Sequence, residues 1–109
     1  MNLDDLTIKE IRQLTALLSN GSRDSAYELN RQYFIRTATY FATGLLIKET
    51  ENELVLSNAA WIADTGRLNE ALTSGEFKEV EPFPNNLIIN KGGIIDATFF
   101  GASLPTEVI

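Results

Sequence analysis

From Tyr33 onward the sequence changes character, and that change constrains the fold more than any other feature. Residues 20–32 (NGSRDSAYELNRQ) are polar and without periodicity, whereas Tyr33 to Leu46 is dense in aromatic and β-branched residues. Such a run reads as a strand, with Ile35, Thr37, Thr39 and Phe41 on one face and Arg36, Ala38 and Tyr40 on the other. Gly44 is placed to bend or bulge it, and pairing is expected to continue through Leu45–Thr50. Glu51-Asn52 reads as a tight turn, Leu54-Val55-Leu56 as the returning partner, and Ala59–Ala63 as an extension of the sheet. Asp64-Thr65-Gly66 is a turn that caps a short helix over Arg67–Thr73, whose Leu68, Ala71 and Leu72 share a face and which Gly75 closes. Glu81-Pro82-Phe83-Pro84 is extended, because each proline removes a donor and restricts its predecessor. Leu87–Ile89 and Ile94–Thr98 read as two short strands joined by a hairpin-type turn at Asn90–Gly93. The tail after Gly101 is read as irregular. Phe99 and Phe100, adjacent on a strand, must point to opposite faces, so one of them meets another element or another subunit.

Ahead of the sheet, Thr7-Ile8-Lys9-Glu10 has the capping-box pattern. Ile8, Ile11, Leu14, Leu17 and Leu18 follow at spacings of three and four, and Asn20-Gly21 ends the segment. The pattern predicts a helix over 7–19. A helix this short is marginal in water, so Ile11, Leu14 and Leu18 are expected to pack on the sheet or on a second subunit. The expected fold class is therefore α+β: an N-terminal amphipathic helix plus a small antiparallel β-sheet with one short inserted helix. Residues 1–32 would form the helix and linker, and residues 33–109 the small antiparallel β domain.

Composition narrows the chemistry. At 109 residues the chain is one domain's length. It has no cysteine and no histidine, which excludes disulfides, zinc fingers, Ser–His or Cys nucleophile systems and imidazole acid–base chemistry. No apolar run is long enough for a membrane helix, and the N-terminus has no signal-peptide pattern, so a cytoplasmic protein without a membrane partner is expected. The net charge of −6 lacks the basic footprint that phosphate-backbone binding needs, so direct nucleic-acid binding is not expected. Acidity serves solubility, or else mimics nucleic acid for a basic groove on another protein. The densest acidic stretch, Glu76–Glu81, is interrupted by Lys78. The only close carboxylate pairs, Glu51/Glu53 and Glu79/Glu81, read as solvated charge. No catalytic residue, metal site or cofactor is expected, and the chain does not read as an enzyme.

The most informative stretch is Asn58-Ala59-Ala60-Trp61-Ile62-Ala63-Asp64-Thr65-Gly66-Arg67. Small residues leave room beside the only tryptophan, and hydrogen-bonding groups flank it. Trp61 could stack on a base, while Arg67 and the backbone N–H groups of the turn could hold a phosphate. Arg36 and Tyr40 share a strand face that could border the same spot. The candidate ligand-binding residues are thus Arg36, Tyr40, Asn58, Trp61, Thr65 and Arg67. The plainer alternative is a core tryptophan beside a capped turn with an Asp64–Arg67 surface pair.

IRTATYFATGLL, ELVLSNAAWIADTGRLNEAL, EVEPFP and IIDAT together resemble a family of small proteins encoded by bacterial phages and prophages. The likeness covers most of residues 33–98 and is most specific in the 53–72 block. More distantly, the chain is similar to phage proteins that sequester the cyclic ADP-ribose signal of the Thoeris defence system, through Arg36, Gly44, Leu46, Asn58, Ala59 and Leu72. It places Ala60-Trp61-Ile62 where that family has an Arg-Arg-aromatic run, which leaves the ligand open. The resemblance implies a homo-oligomeric phage inhibitor of bacterial antiviral defence that sequesters a nucleotide-type signalling molecule in the host cytoplasm. The alternative is an inhibitor of the anti-CRISPR type, which binds a host defence protein directly through an acidic surface.

Overall fold

A short strand buried on both faces needs apolar residues at consecutive positions, and Tyr33-Phe34-Ile35 supplies them. All three are buried, in β1 (Gln32–Thr37) at the centre of the sheet. In the computed structural model, which describes residues 25–109, β1 is followed by β2 (Phe41–Glu49), β3 (Glu53–Asp64) and a helix α1 (Leu68–Ser74). Then come β4 (Glu79–Pro82), β5 (Leu87–Asn90), a 3₁₀ turn η1 (Lys91–Gly93) and β6 (Ile94–Phe99). Every pairing is antiparallel: β4-β3-β2-β1-β6, with β5 beside β4 on the same edge of β3.

The sheet is rolled. Laid flat, the four strand spacings from β5 to β6 would span roughly 19 Å. The chain crosses from Asn90 to Ile94 through one 3₁₀ turn, which advances only about 2 Å per residue. The two edges must therefore approach each other. The η1 turn fastens this closure, since Lys91 N–H donates to Asn52 O at 2.8 Å and Gly93 O accepts from Ala38 N–H at 3.2 Å. Lys91 Nζ also pairs with Glu49 at 2.6 Å.

The concave face encloses Tyr33, Ile35, Ala42, Leu46, Leu54, Leu56, Ala59 and Ile89. Burying each large aliphatic among them contributes about 1.5–3 kcal/mol. The convex face carries Phe34, Ala60, Ile62 and Val80, covered by Ala71 of α1, Phe77 and Phe100. Phe34, Phe77 and Phe100 stack in succession, with centroids 6.1 and 5.7 Å apart. Phe99 points the other way, against Tyr33 at 5.1 Å, with the Arg31 guanidinium 3.9 Å above its ring.

Three expectations are corrected. The fold is not α+β but mostly antiparallel sheet: 48% of the described residues are strand and 12% helical, in one helix and a single 3₁₀ turn. The seven-residue α1 is a cover inserted between β3 and β4, not a layer of its own. The amphipathic helix predicted over 7–19, and the packing of Ile11, Leu14 and Leu18, lie outside the described residues.

Tyr33–Thr50 is two strands, not one. The Thr37 hydroxyl accepts from Thr39 N–H and Tyr40 N–H, and Thr37 N–H donates to Tyr40 O at 2.8 Å. This turn is made by a threonine side chain, without the glycine, proline or asparagine that marks most turns. The third correction concerns residues 87–98, which form no hairpin, because β5 pairs with β3 and β6 with β1. Asn90 Oδ1 accepts from Gly92 N–H, which folds the link into η1. Residues 27–31, placed by their polarity in a linker, bond to the sheet through Asn30 N–H to Leu46 O and Leu46 N–H to Arg31 O.

Candidate functional site

The site is built around a change of register in β3. Opposite Gly44 the pairing jumps from Thr43↔Ala60 to Leu45↔Ser57, and Asn58 adopts φ 47°. Asparagine tolerates this left-handed conformation better than most residues. A Cβ on Gly44 would lie 2.8 Å from Leu56 Cβ, so the bulge requires glycine there. The extra residue keeps Leu54, Leu56 and Ala59 on the concave side, and strand alternation between Ala60 and Ile62 of the convex face brings Trp61 to that side beyond them.

Trp61 is 37% exposed, unusually open for the one tryptophan in the middle of a strand. Its register partners are Ala42 on β2 and Glu81 on β4. It borders three concavities. Tyr40, Trp61, Glu81, Pro82, Phe83 and Leu87 line a mainly apolar groove of about 430 Å³. Arg36, the Thr37–Tyr40 turn and Trp61 line a second of about 320 Å³, and Lys78, Glu79, Glu81 and Ile109 adjoin Trp61 in a third of about 390 Å³. The groove forms because β4 and β5 share one edge of β3 and the segment between them must leave the sheet. Phe83 N–H still donates to Ala59 O at 2.8 Å, and the flanking prolines hold the departing chain extended.

The structure brings three of the six candidate residues together: Arg36, Tyr40 and Trp61. Arg36 is already engaged by Asp96, its cross-strand partner, through two hydrogen bonds. The bonded Asp96 carboxylate raises the Arg36 pKa above its ordinary value. Thr65 and Arg67 lie apart, in a hollow with Glu70, Ser74, Glu76, Phe77 and Lys78. Arg67 is the N-cap position of α1, and Asp64 Oδ1 accepts from Gly66 N–H rather than pairing with it. Asn58 holds the bulge and lines none of these concavities. Trp61 and Arg67 thus line no concavity in common, and Lys78 stands between a hollow of each.

Glu81, Pro82, Phe83 and Leu87 are groove residues that sequence reasoning passed over. The signal was the Glu81-Pro82-Phe83-Pro84 run, whose stiff backbone was recognised while the strand it faces was not. Among the described residues, no three carboxylates converge as a metal site would require, and no helix is long and apolar enough to cross a membrane.

No family model, curated protein or solved structure matches the chain. Function must be read from the groove itself.

Proposed function

We propose that this protein is a non-catalytic binding protein of phage origin that disables a bacterial antiviral defence by docking on one of its protein components. Its docking face is the groove of Tyr40, Trp61, Pro82, Phe83 and Leu87 rimmed by Glu81. The observation that carries this reading is Trp61, half-open on a strand and bordering three concavities at once. Aromatic side chains placed this way dominate recognition surfaces because they supply large contact area at little conformational cost. The likeness of the 53–72 block to phage-encoded proteins supports the biological setting.

The charge around the groove supports a protein partner over an anionic one. Glu79 and Glu81 border Trp61 against the single Lys78, while Arg36, which shares a concavity with Trp61, is paired with Asp96. A second reading, sequestration of a nucleotide-type signal, is supported by the one concavity that Arg36, Tyr40 and Trp61 share. It requires Asp96 to release Arg36.

The test is phage plating on bacteria that carry either a CRISPR nuclease or a nucleotide-signalling defence and express this chain. The proposed function expects restored plaques on at least one defended host, with the restoration lost in Trp61→Ser. Full restoration by a folded Trp61→Ser would reject the groove as the docking face. Loss in Arg36→Ala, with restoration kept in Asp96→Ala, would favour the nucleotide reading.

A further inference from the structure

The chemistry of the partner follows from what surrounds the open tryptophan. Trp61 and Glu81 are directly opposed on β3 and β4, so their side chains rise on the same face with Cβ atoms roughly 5 Å apart. An indole face is electronegative, and the adjacent carboxylate adds a full negative charge to the same spot. Both favour a cation and both repel an anion.

The rest of the fold shows how this chain treats such rings. Arg31 covers Phe99 at 3.9 Å, and Lys91 Nζ stands 6.0 Å from the Tyr27 centroid. Among the described residues, no lysine or arginine stands over Trp61, Tyr40 or Phe83. Of the neighbouring cations, Arg36 is paired with Asp96, and Lys78, whose stem runs by the Gly66 turn, borders the adjacent hollow with Glu79 and Glu81 and does not cover the indole. Among the described residues, Trp61 is therefore an aromatic face with a carboxylate beside it and no lysine or arginine over its ring.

We propose that the groove receives an arginine or lysine side chain from a basic surface of the partner protein. The guanidinium or ammonium lies over the Trp61 indole with its charge against Glu81. The aliphatic stem packs along Pro82, Phe83 and Leu87, as long basic side chains do when an apolar surface leads to a polar rim. The volume of about 430 Å³ admits one such side chain with part of its backbone. The choice of cation rests on the protein-docking reading above and gives it a partner class. A defence protein with a basic groove for nucleic acid presents such side chains in number.

The experiment is a titration of the full chain, followed by Trp61 fluorescence and by ¹H–¹⁵N spectra, with blocked tripeptides Gly-Arg-Gly, Gly-Lys-Gly, Gly-Leu-Gly and Gly-Glu-Gly. The arginine and lysine peptides are expected to bind in about the millimolar range, the level of a contact of roughly 4 kcal/mol. Their shifts should centre on the Trp61 indole N–H, Tyr40 and Phe83. Added salt should weaken them. Glu81→Gln, an exposed change that leaves the core intact, should weaken them about two- to fivefold, as for an exposed charge pair. Equal binding of the leucine peptide, stronger binding of the glutamate peptide, or shifts centred away from Trp61 would overturn the proposal. The two readings fail separately. Loss of plaque restoration in Trp61→Ser without cationic binding leaves the docking face and removes the cation. Restoration that survives in Trp61→Ser removes the docking face, whatever the peptides do.

Discussion

Thr43 gives a test of the packing in which the sign is unusual. Its side chain is fully buried on the convex face, between Phe34 on β1 and Ala60 on β3 in the same cross-strand row. Its hydroxyl oxygen has no hydrogen-bond partner among the described residues. A buried hydroxyl left unpaired costs about 1–3 kcal/mol of desolvation. Thr43→Val replaces the hydroxyl with a methyl of nearly the same shape and removes that cost without opening a cavity. Stability should therefore rise by about 1–2 kcal/mol. For a domain of this size that is a gain of roughly 4–8 °C in Tm per kcal/mol. Thr43→Ser keeps the hydroxyl and deletes the methyl, so it should lose about 1 kcal/mol through the small cavity. Urea unfolding of the three proteins, with unchanged slopes, reads both differences. Thr43→Val at or below the wild-type midpoint would refute the reasoning, because the hydroxyl would then have to be satisfied in the folded state.

Gly75 ends α1 at φ 80°, and a Cβ there would lie 2.7 Å from Ala102 Cβ. Gly75→Ala should lower stability by about 2 kcal/mol or more in thermal unfolding, combining left-handed strain with a clash against the C-terminal cover. The Lys91–Glu49 pair is largely buried, with side chains 24% and 14% exposed. Lys91→Met should cost about 1–3 kcal/mol by stranding the Glu49 carboxylate, and adding Glu49→Gln should recover part of it, which a double-mutant cycle measures. Burial first, then Glu49 and Tyr33, raises the Tyr27 pKa. The raised value means that the stability Tyr27 contributes is complete below its unfolded pKa of about 10 and is lost as pH climbs through the folded value. Urea midpoints should fall at alkaline pH, and Tyr27→Phe should flatten that fall.

Much of the sheet was legible because its punctuation is local. The Glu51-Asn52 turn lies between β2 and β3, Gly44 sits at the bulge, and α1 runs Leu68–Ser74 with Gly75 as its cap, one residue from the span read in the sequence. The division of Tyr33–Thr50 was not legible, because Thr37 makes its turn with a hydroxyl that alternation reads as one more strand residue. Missing that turn also mixes the faces: Ile35 lies in the concave core, while Phe41 packs on the convex one. Residues 87–98 misled for a different reason. Two short strands flanking a Gly-Gly turn look like a hairpin, and only closure of the rolled sheet sends them to opposite edges.

The candidate site shows the same division. Trp61 stood out from composition alone, and Tyr40 and Arg36 do reach its surroundings. The pairing of Trp61 with Arg67 rested on closeness in sequence, but the turn at 64–66 carries Arg67 into a different hollow. Glu81 and Phe83 became part of the site only through β4, whose return to the edge of β3 is a long-range pairing that no local pattern records.

The central claim is that the Trp61 groove captures a defence protein and not a nucleotide. Native mass spectrometry of the chain purified from a host whose defence it blocks tests this directly, with Trp61→Ser purified in parallel. The account predicts a complex with a host protein for the wild type and no such complex for Trp61→Ser. A wild-type chain carrying only a nucleotide-sized ligand, or a protein complex that persists in folded Trp61→Ser, would contradict it.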